Sequence, residues 1–214
     1  MNLTARRHQA GLIAREAAAL RGLPRPVIAF YARAWWTAWR TRDRFTLDSA
    51  TRPSHGAQLL ALAAGHRRAV ELGTGTAWTA IALAAADPER QVTSYDPVAR
   101  PERDRYLALV APAVRARIEL RAEPAETAGA EHGSVGFLFV DCAHDRETTA
   151  SAFRAWRDAL APGGVAAFHD YGHPEYPGVR EAVAELGLDG HEEGGLFVWR
   201  QPVSAVNGAP PRSQ

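Results

Sequence analysis

Four residues with acid–base capacity follow two strand-like runs late in the chain: Asp141 and His144 after Val135 to Val140, His169 and Asp170 after Val165 to Phe168. Carboxylates and imidazoles gathered in one crevice can orient a nucleophile and take its proton, and an unperturbed imidazole titrates near neutrality. His144, three residues beyond Asp141, is the first candidate for a base and His169 the second. Earlier in the chain, Glu71-Leu72-Gly73-Thr74-Gly75 ends another strand-like run in small residues. Gly73 and Gly75 let the backbone turn sharply and approach a ligand with no Cβ in the way. The N-terminus of the helix that follows offers unpaired N–H groups to a carboxylate or phosphate. Glu71 would oppose a pyrophosphate but suits a cationic amino group. Asp96, one strand and one helix later, ends Val92-Thr93-Ser94-Tyr95 and has the position needed to accept hydrogen bonds from ribose hydroxyls. Its alternative role is to cap the turn at Asp96-Pro97.

These residues meet only if their strands end on the same side of one sheet. Strand-like and helix-like runs do alternate: Ala69 to Leu72, Thr79 to Ala86, Val92 to Tyr95, Arg103 to Val110, Ile118 to Arg121, Val135 to Val140, Thr148 to Leu160, Val165 to Phe168, Val179 to Leu186 and Leu196 to Trp199. Short connections between such runs predict an α/β fold, a mostly parallel sheet with helices on both faces. Ahead of it, residues 4–21 read as a helix stopped by Gly22-Leu23-Pro24-Arg25-Pro26, and a second helix is expected from Val27 to Arg40. Ile28, Tyr31, Trp35 and Trp39 recur on that helix at spacings of three and four, an aromatic stripe widened by Phe30 and Trp36. The stripe suits packing against the main domain or a twin subunit, and less well a membrane surface or a lid. Thr46 to Pro53 reads as a loop, followed by a helix carrying Leu59, Leu60, Leu62 and Ala63. The chain thus divides into a helical extension at 1–53, a main domain at 54–202 and a polar, Pro- and Gly-rich tail at 203–214.

The Glu-x-Gly-x-Gly turn, Asp96, the run from Val135 to Asp141 and Leu160-Ala161-Pro162-Gly163-Gly164 together resemble a class I S-adenosylmethionine-dependent methyltransferase over residues 54–200. Asp141-Cys142-Ala143-His144, the stretch from Asp158 to Gly164, His169-Asp170-Tyr171 and Pro177-Gly178-Val179 resemble more narrowly its small-molecule O-methyltransferase branch, methyltransferase family 24. The resemblance implies a Rossmann-like seven-stranded sheet closed by an antiparallel strand near Leu196 to Trp199. It implies S-adenosylmethionine as cofactor, with the methionine part at Glu71, Gly73, Thr74 and Gly75, the ribose at Asp96, the adenine near Ala122 and Glu123, and Asp141 at the site. Ala77 stands where a third glycine is common, and Cys142 where the branch usually has glycine. Metal-using relatives hold a divalent ion with acids at the positions of Asp141 and Asp170, so Asp141, His169 and Asp170 are the candidate ligands here. His169 replaces a second acid, a set that suits Mn or Fe better than Mg. Without a metal, the same residues would orient substrate or cofactor directly.

Composition restricts the remaining classes. The 214 residues are 46% hydrophobic and 23% charged, an ordinary globular balance with room for one sizeable core. All 25 basic residues are arginine, and residues 1–52 hold ten of them against Glu16, Asp43 and Asp48, about +7 against about −6 for the rest. A single cysteine, Cys142, rules out an intramolecular disulfide and makes a cytoplasmic setting the simplest. No signal-peptide pattern opens the chain, and Val27 to Trp39 is too short to span a bilayer and contains Arg33. The expected partner is a small-molecule acceptor, with a homodimer through the N-terminal helices left open. Three rivals stand beside this reading: a nucleic-acid methyltransferase using the arginines, an NAD(P)-dependent oxidoreductase, and a module that binds the cofactor without catalysis. The first lacks a base-reading motif, and the second is opposed by Glu71. His55, His173, Tyr171 and Tyr176 lie on or near loops with no spacing that assigns them a role.

Overall fold

A computed structural model describes residues 16–126 and 134–203. Residues 16–22 are helical, so most of the helix expected over 4–21 lies outside the described residues, as does the tail beyond Val203. The elements that follow are α1 (Arg25–Thr41), α2 (Arg44–Ser49), α3 (Pro53–Leu62), β1 (Arg68–Leu72), α4 (Trp78–Ala86), β2 (Gln91–Tyr95), α5 (Glu102–Leu107), α6 (Pro112–Arg115) and β3 (Ile118–Arg121). Beyond them come β4 (Val135–Val140), α7 (Arg146–Arg157), β5 (Leu160–Phe168), α8 (Pro177–Glu185), β6 (His191–Glu193) and β7 (Leu196–Arg200).

The seven strands form one sheet in the order β3-β2-β1-β4-β5-β7-β6. The first five are parallel, and β7 pairs antiparallel with both β5 and β6. The order reverses between β1 and β4, which places a crevice at their carboxyl ends. Side chains alternate across the sheet as period-two geometry requires. Val70, Leu72, Leu138 and Val140 join Phe153, Trp156, Val179 and Val183 of α7 and α8 on one face, whereas Ala69, Phe137 and Phe139 join Leu59 and Leu83 of α3 and α4 on the other. This alternation aims Glu71 toward α4.

α4 is buried on every side from Trp78 to Ala85, because α1 covers the surface it turns away from the sheet. The residues of α1 that do so are Val27, Phe30, Tyr31, Ala34 and Ala38. The aromatic stripe expected to pack is therefore rotated. Trp35 is 41% exposed and Trp39 64%, while the buried Ala34 and Ala38 let the two helices approach.

The loop expected over Thr46 to Pro53 is also corrected, since Arg44–Ser49 is a helix whose first turn is capped by the Asp43 carboxylate accepting from Thr46 N at 3.1 Å. The cap outweighs the poor helix propensity of Thr46, Asp48 and Ser49. β5 starts five residues before the expected Val165, at Leu160, where it pairs with Val135 ahead of a register shift. α7 accordingly stops at Arg157.

Candidate active site

The turn after β1 is fixed from three sides. Gly73 N donates to Tyr95 O at 2.8 Å, and Asp141 N donates to Leu72 O at 2.8 Å. A Cβ on Gly73 would lie 2.0 Å from Asp141 O, and φ there is +104°, so only glycine lets β1 and β4 end side by side. Glu71 is 1% exposed and accepts from Ser94 Oγ at 2.5 Å, and Ser94 Oγ lies 2.7 Å from Thr74 Oγ1. Burial pushes the Glu71 carboxyl up to about 8, beyond what the hydrogen bond from Ser94 offsets.

Asp96 closes the same turn. Its Oδ2 accepts from Gly75 N at 3.1 Å and from Arg103 Nη2 at 2.6 Å, and its Oδ1 accepts from Val98 N at 2.8 Å. Arg103 Nε also donates to Gly75 O at 2.9 Å, so one buried arginine on α5 ties the glycine turn to the acid. Nothing in the local sequence pattern announces Arg103.

Across the crevice, the loops after β4 and β5 bring Asp141, His144, His169 and Asp170 together, with one ligand atom of each within 4.8 Å of the others. His144 Nε2 is 3.2 Å from Asp141 Oδ1 and 3.3 Å from Asp170 Oδ2, while His169 Nδ1 is 3.1 Å and 3.3 Å from the same oxygens. His144 and Asp170 hold left-handed backbone, with φ of 58° and 55°, a conformation of modest cost for His and Asp that recurs at functional sites. A Cβ on Gly178 would fall 2.6 Å from Arg146 N and 2.7 Å from His144 O, so this glycine lets α8 sit against the loop that carries His144. Asp145 caps α7 by accepting from Thr148 N at 2.8 Å.

The electrostatics follow from crowding. Burial opposes ionisation of Asp141, yet the charge of His169 and the hydrogen bond from His144 bring its carboxyl down to about 2. Burial would lower His169, but Asp141 and Asp170 raise it to about 10. His144 is raised chiefly by its hydrogen bond to Asp141. Burial and the nearby Asp141 push the Cys142 thiol up to about 12, so it is no nucleophile.

One cavity of about 960 Å³ joins the two halves, at the upper end of the range for small-molecule sites. Glu71, Gly73, Thr74, Gly75 and Asp96 line one part of it, and the four-residue cluster lines another. Ala122 and Glu123, expected beside an adenine, are exposed and off the cavity, with Glu123 Oε1 3.7 Å from Arg121 Nη1. β3 ends at Arg121, the chain turns outward there, and Pro124, Ala125 and Glu126 form the wall instead. Of the unassigned residues, His55, His173 and Tyr176 reach the cavity. Tyr171 packs on Phe197 with ring centroids 4.9 Å apart and anchors its loop.

A family model described as a methyltransferase domain matches residues 70–171, the span that contains the glycine turn and the cluster. Residues 70–171 are thus similar to a methyltransferase domain, set on a mostly parallel seven-stranded sheet. No curated protein matches this chain in sequence. Solved structures are similar in fold at low identity. A methyltransferase from Geobacter sulfurreducens has a TM-score of 0.63 at 20% identity, over 88% of this chain and 96% of its own. The O-methyltransferase TomG from Streptomyces achromogenes, involved in tomaymycin synthesis and solved with S-adenosylmethionine, has a TM-score of 0.54 at 20% identity, over 71% and 82%. CalS11, a TDP-rhamnose 3'-O-methyltransferase of calicheamicin biosynthesis, has a TM-score of 0.55 at 15% identity, over 90% and 94%. Among the described residues, no helix is long and apolar enough to cross a membrane.

Proposed function

We propose that the protein transfers the methyl group of S-adenosylmethionine to a hydroxyl oxygen of a small molecule. The observation that carries this reading is the single cavity, with a buried acid beside a glycine turn at one part and two carboxylates and two imidazoles at another. Glu71 suits the methionine ammonium, and Asp96 the ribose hydroxyls. The structural likeness to O-methyltransferases such as TomG and CalS11 supports oxygen as the acceptor atom. In the reaction, an acceptor oxygen forms a bond to the methyl carbon as the carbon–sulfur bond breaks. S-adenosylhomocysteine leaves, and the hydroxyl proton passes to a base. His144, the most exposed of the four side chains at 27%, is the group assigned to receive that proton. The protein supplies orientation and charge, and the cofactor supplies the electrophile.

The donor set also fits a divalent cation. His169 Nδ1 is buried and makes no directed hydrogen bond, although two carboxylate oxygens lie within 3.3 Å of it. Asp141, His169 and Asp170 would hold the ion, with His144 beside them, and mixed oxygen and imidazole donors favour Mn or Fe over Mg. When bound, such an ion lowers the pKa of an acceptor hydroxyl.

Calorimetry with S-adenosylmethionine, followed by a screen of hydroxylated acceptors with and without chelator, tests both parts. Absence of cofactor binding at millimolar ligand would remove the proposal. His144→Ala should lower turnover about 10²- to 10⁴-fold with cofactor affinity retained. Turnover equal to wild type would remove the base assignment.

A further inference from the structure

We infer that His55 is a positioning residue for the cluster, accepting the Nε2–H of His169 and so holding His169 Nδ1 toward Asp141 and Asp170. His55 projects from the first turn of α3, 114 residues away in sequence, and its Nδ1 lies 3.1 Å from His169 Nε2. The two rings meet edge to face, at 5.2 Å and 79°. Phe139 packs against His169 in a similar tilt at 5.9 Å, so the ring of His169 is held by a hydrogen bond and an aromatic contact as well as by the carboxylates.

The direction of the hydrogen bond follows from its surroundings. His169 Nδ1 faces carboxylate oxygens of Asp141 and Asp170 at 3.1 and 3.3 Å, so the hydrogen bond that holds the ring in that orientation comes from its other nitrogen, Nε2, which faces His55 Nδ1. His169 is thus the donor. Its remaining nitrogen then faces Asp141 and Asp170, the orientation a cation ligand needs.

α3 is itself fixed at this end. The Glu16 carboxylate accepts from Ser54 N at 2.9 Å and from Ser54 Oγ at 2.7 Å, one residue before His55. A connected path therefore runs from the helix at residues 16–22 through Ser54 and His55 to His169. The N-terminal helices contribute to the geometry of the site itself.

The effect on cation affinity rests on the cation reading given under Proposed function; the positioning role does not. The test uses the full chain with His55→Ala and His55→Asn, the second retaining an acceptor oxygen close to the position of Nδ1. Mn(II) alone is the probe, followed by loss of the free-ion electron paramagnetic resonance signal. His55→Ala should weaken Mn(II) binding about ten- to a hundredfold, and His55→Asn should return it to within about threefold of wild type. Affinity for S-adenosylmethionine should be unchanged in both, whereas a merely structural defect would weaken both ligands and resist rescue by asparagine.

A second readout needs no metal. Long-range ¹H–¹⁵N correlation spectra of the metal-free protein should show a protected, downfield Nε2 proton on His169 that His55→Ala removes. Unaltered Mn(II) affinity in His55→Ala, or no such proton in the wild type, overturns the inference. If the wild type fails to bind Mn(II) while the proton is present and is lost in His55→Ala, the cation reading falls and the positioning role stands.

Discussion

Glu71 carries a direct electrostatic consequence for cofactor binding. Its carboxyl is buried at the cofactor turn and raised to about 8, so at pH 7 it is protonated in the cofactor-free protein. A cationic ammonium placed against it favours the ionised form, so binding S-adenosylmethionine should release close to one proton at pH 7. Calorimetry in two buffers of different ionisation enthalpy measures that release directly, and Glu71→Gln should abolish it. No buffer dependence in the wild type would sink the assignment of Glu71 to the ammonium. The same shift has a stability consequence. Because folding raises this pKa from 4.5 to about 8, its contribution is complete below pH 4.5 and is lost as pH rises through about 8. Glu71→Gln should therefore melt near the wild-type temperature at pH 5 and above it at pH 9. Glu71, Asp96, Asp141, His169 and Asp170 were legible in the sequence because each ends or closely follows a strand of a parallel sheet. Arg103 and His55 were not, because their partners come from distant elements and no local spacing encodes such a meeting.

At the scale of elements, the placement of His144 depends on how closely α8 approaches the loop between β4 and α7. Gly178 permits that approach, since a Cβ there would meet backbone atoms at 2.6 and 2.7 Å. Gly178→Ala should push the start of α8 outward and displace His144, whose ring stacks on Tyr176 at 4.5 Å just before that helix. A displacement of an ångström at a catalytic group can cost about a hundredfold in rate. Turnover should thus fall by about that factor while cofactor affinity holds, because the glycine turn lies on different elements. Gly22→Ala, where a Cβ would meet nothing within 4 Å, is the matched control. Equal turnover in the two variants would remove this role for Gly178. Element reading from sequence succeeded where burial left a continuous apolar run, as in β4, or a helical period, as in α7. It missed β6, whose His191, Glu192 and Glu193 are all exposed and carry no apolar alternation. α2 was missed although Asp43 and Thr46 already stood at capping distance in the sequence.

For the molecule as a whole, the N-terminal helices form a further layer on the sheet domain. Trp78, the first residue of α4, has edge-on contacts with Phe30 at 5.7 Å, Tyr31 at 5.8 Å, Trp35 at 6.0 Å and Tyr106 at 5.4 Å. Burying Val27 and Phe30 contributes about 1.5–3 kcal/mol each, and a domain has only about 5–15 kcal/mol in total. Composition identified these helices as basic and aromatic, but the spacing of Ile28, Tyr31, Trp35 and Trp39 pointed to a packing side of α1 from which Trp35 and Trp39 are turned outward. The alanines decide which side faces inward, because small residues at 34 and 38 allow the close approach to α4. A chain starting at residue 53 should therefore show no cooperative melting transition, since the apolar outer face of α4 would be left in water. Two substitutions on the same helix make the argument specific. Phe30→Ala, on the inner face, should cost about 3–5 kcal/mol, and Trp36→Gln, at 61% exposure, should fall within about ±0.5 kcal/mol. Chemical denaturation of both variants measures the contrast. Comparable losses from the two faces, or cooperative melting of the shortened chain, would mean that α1 is an appendage and that the sheet domain is stable without it.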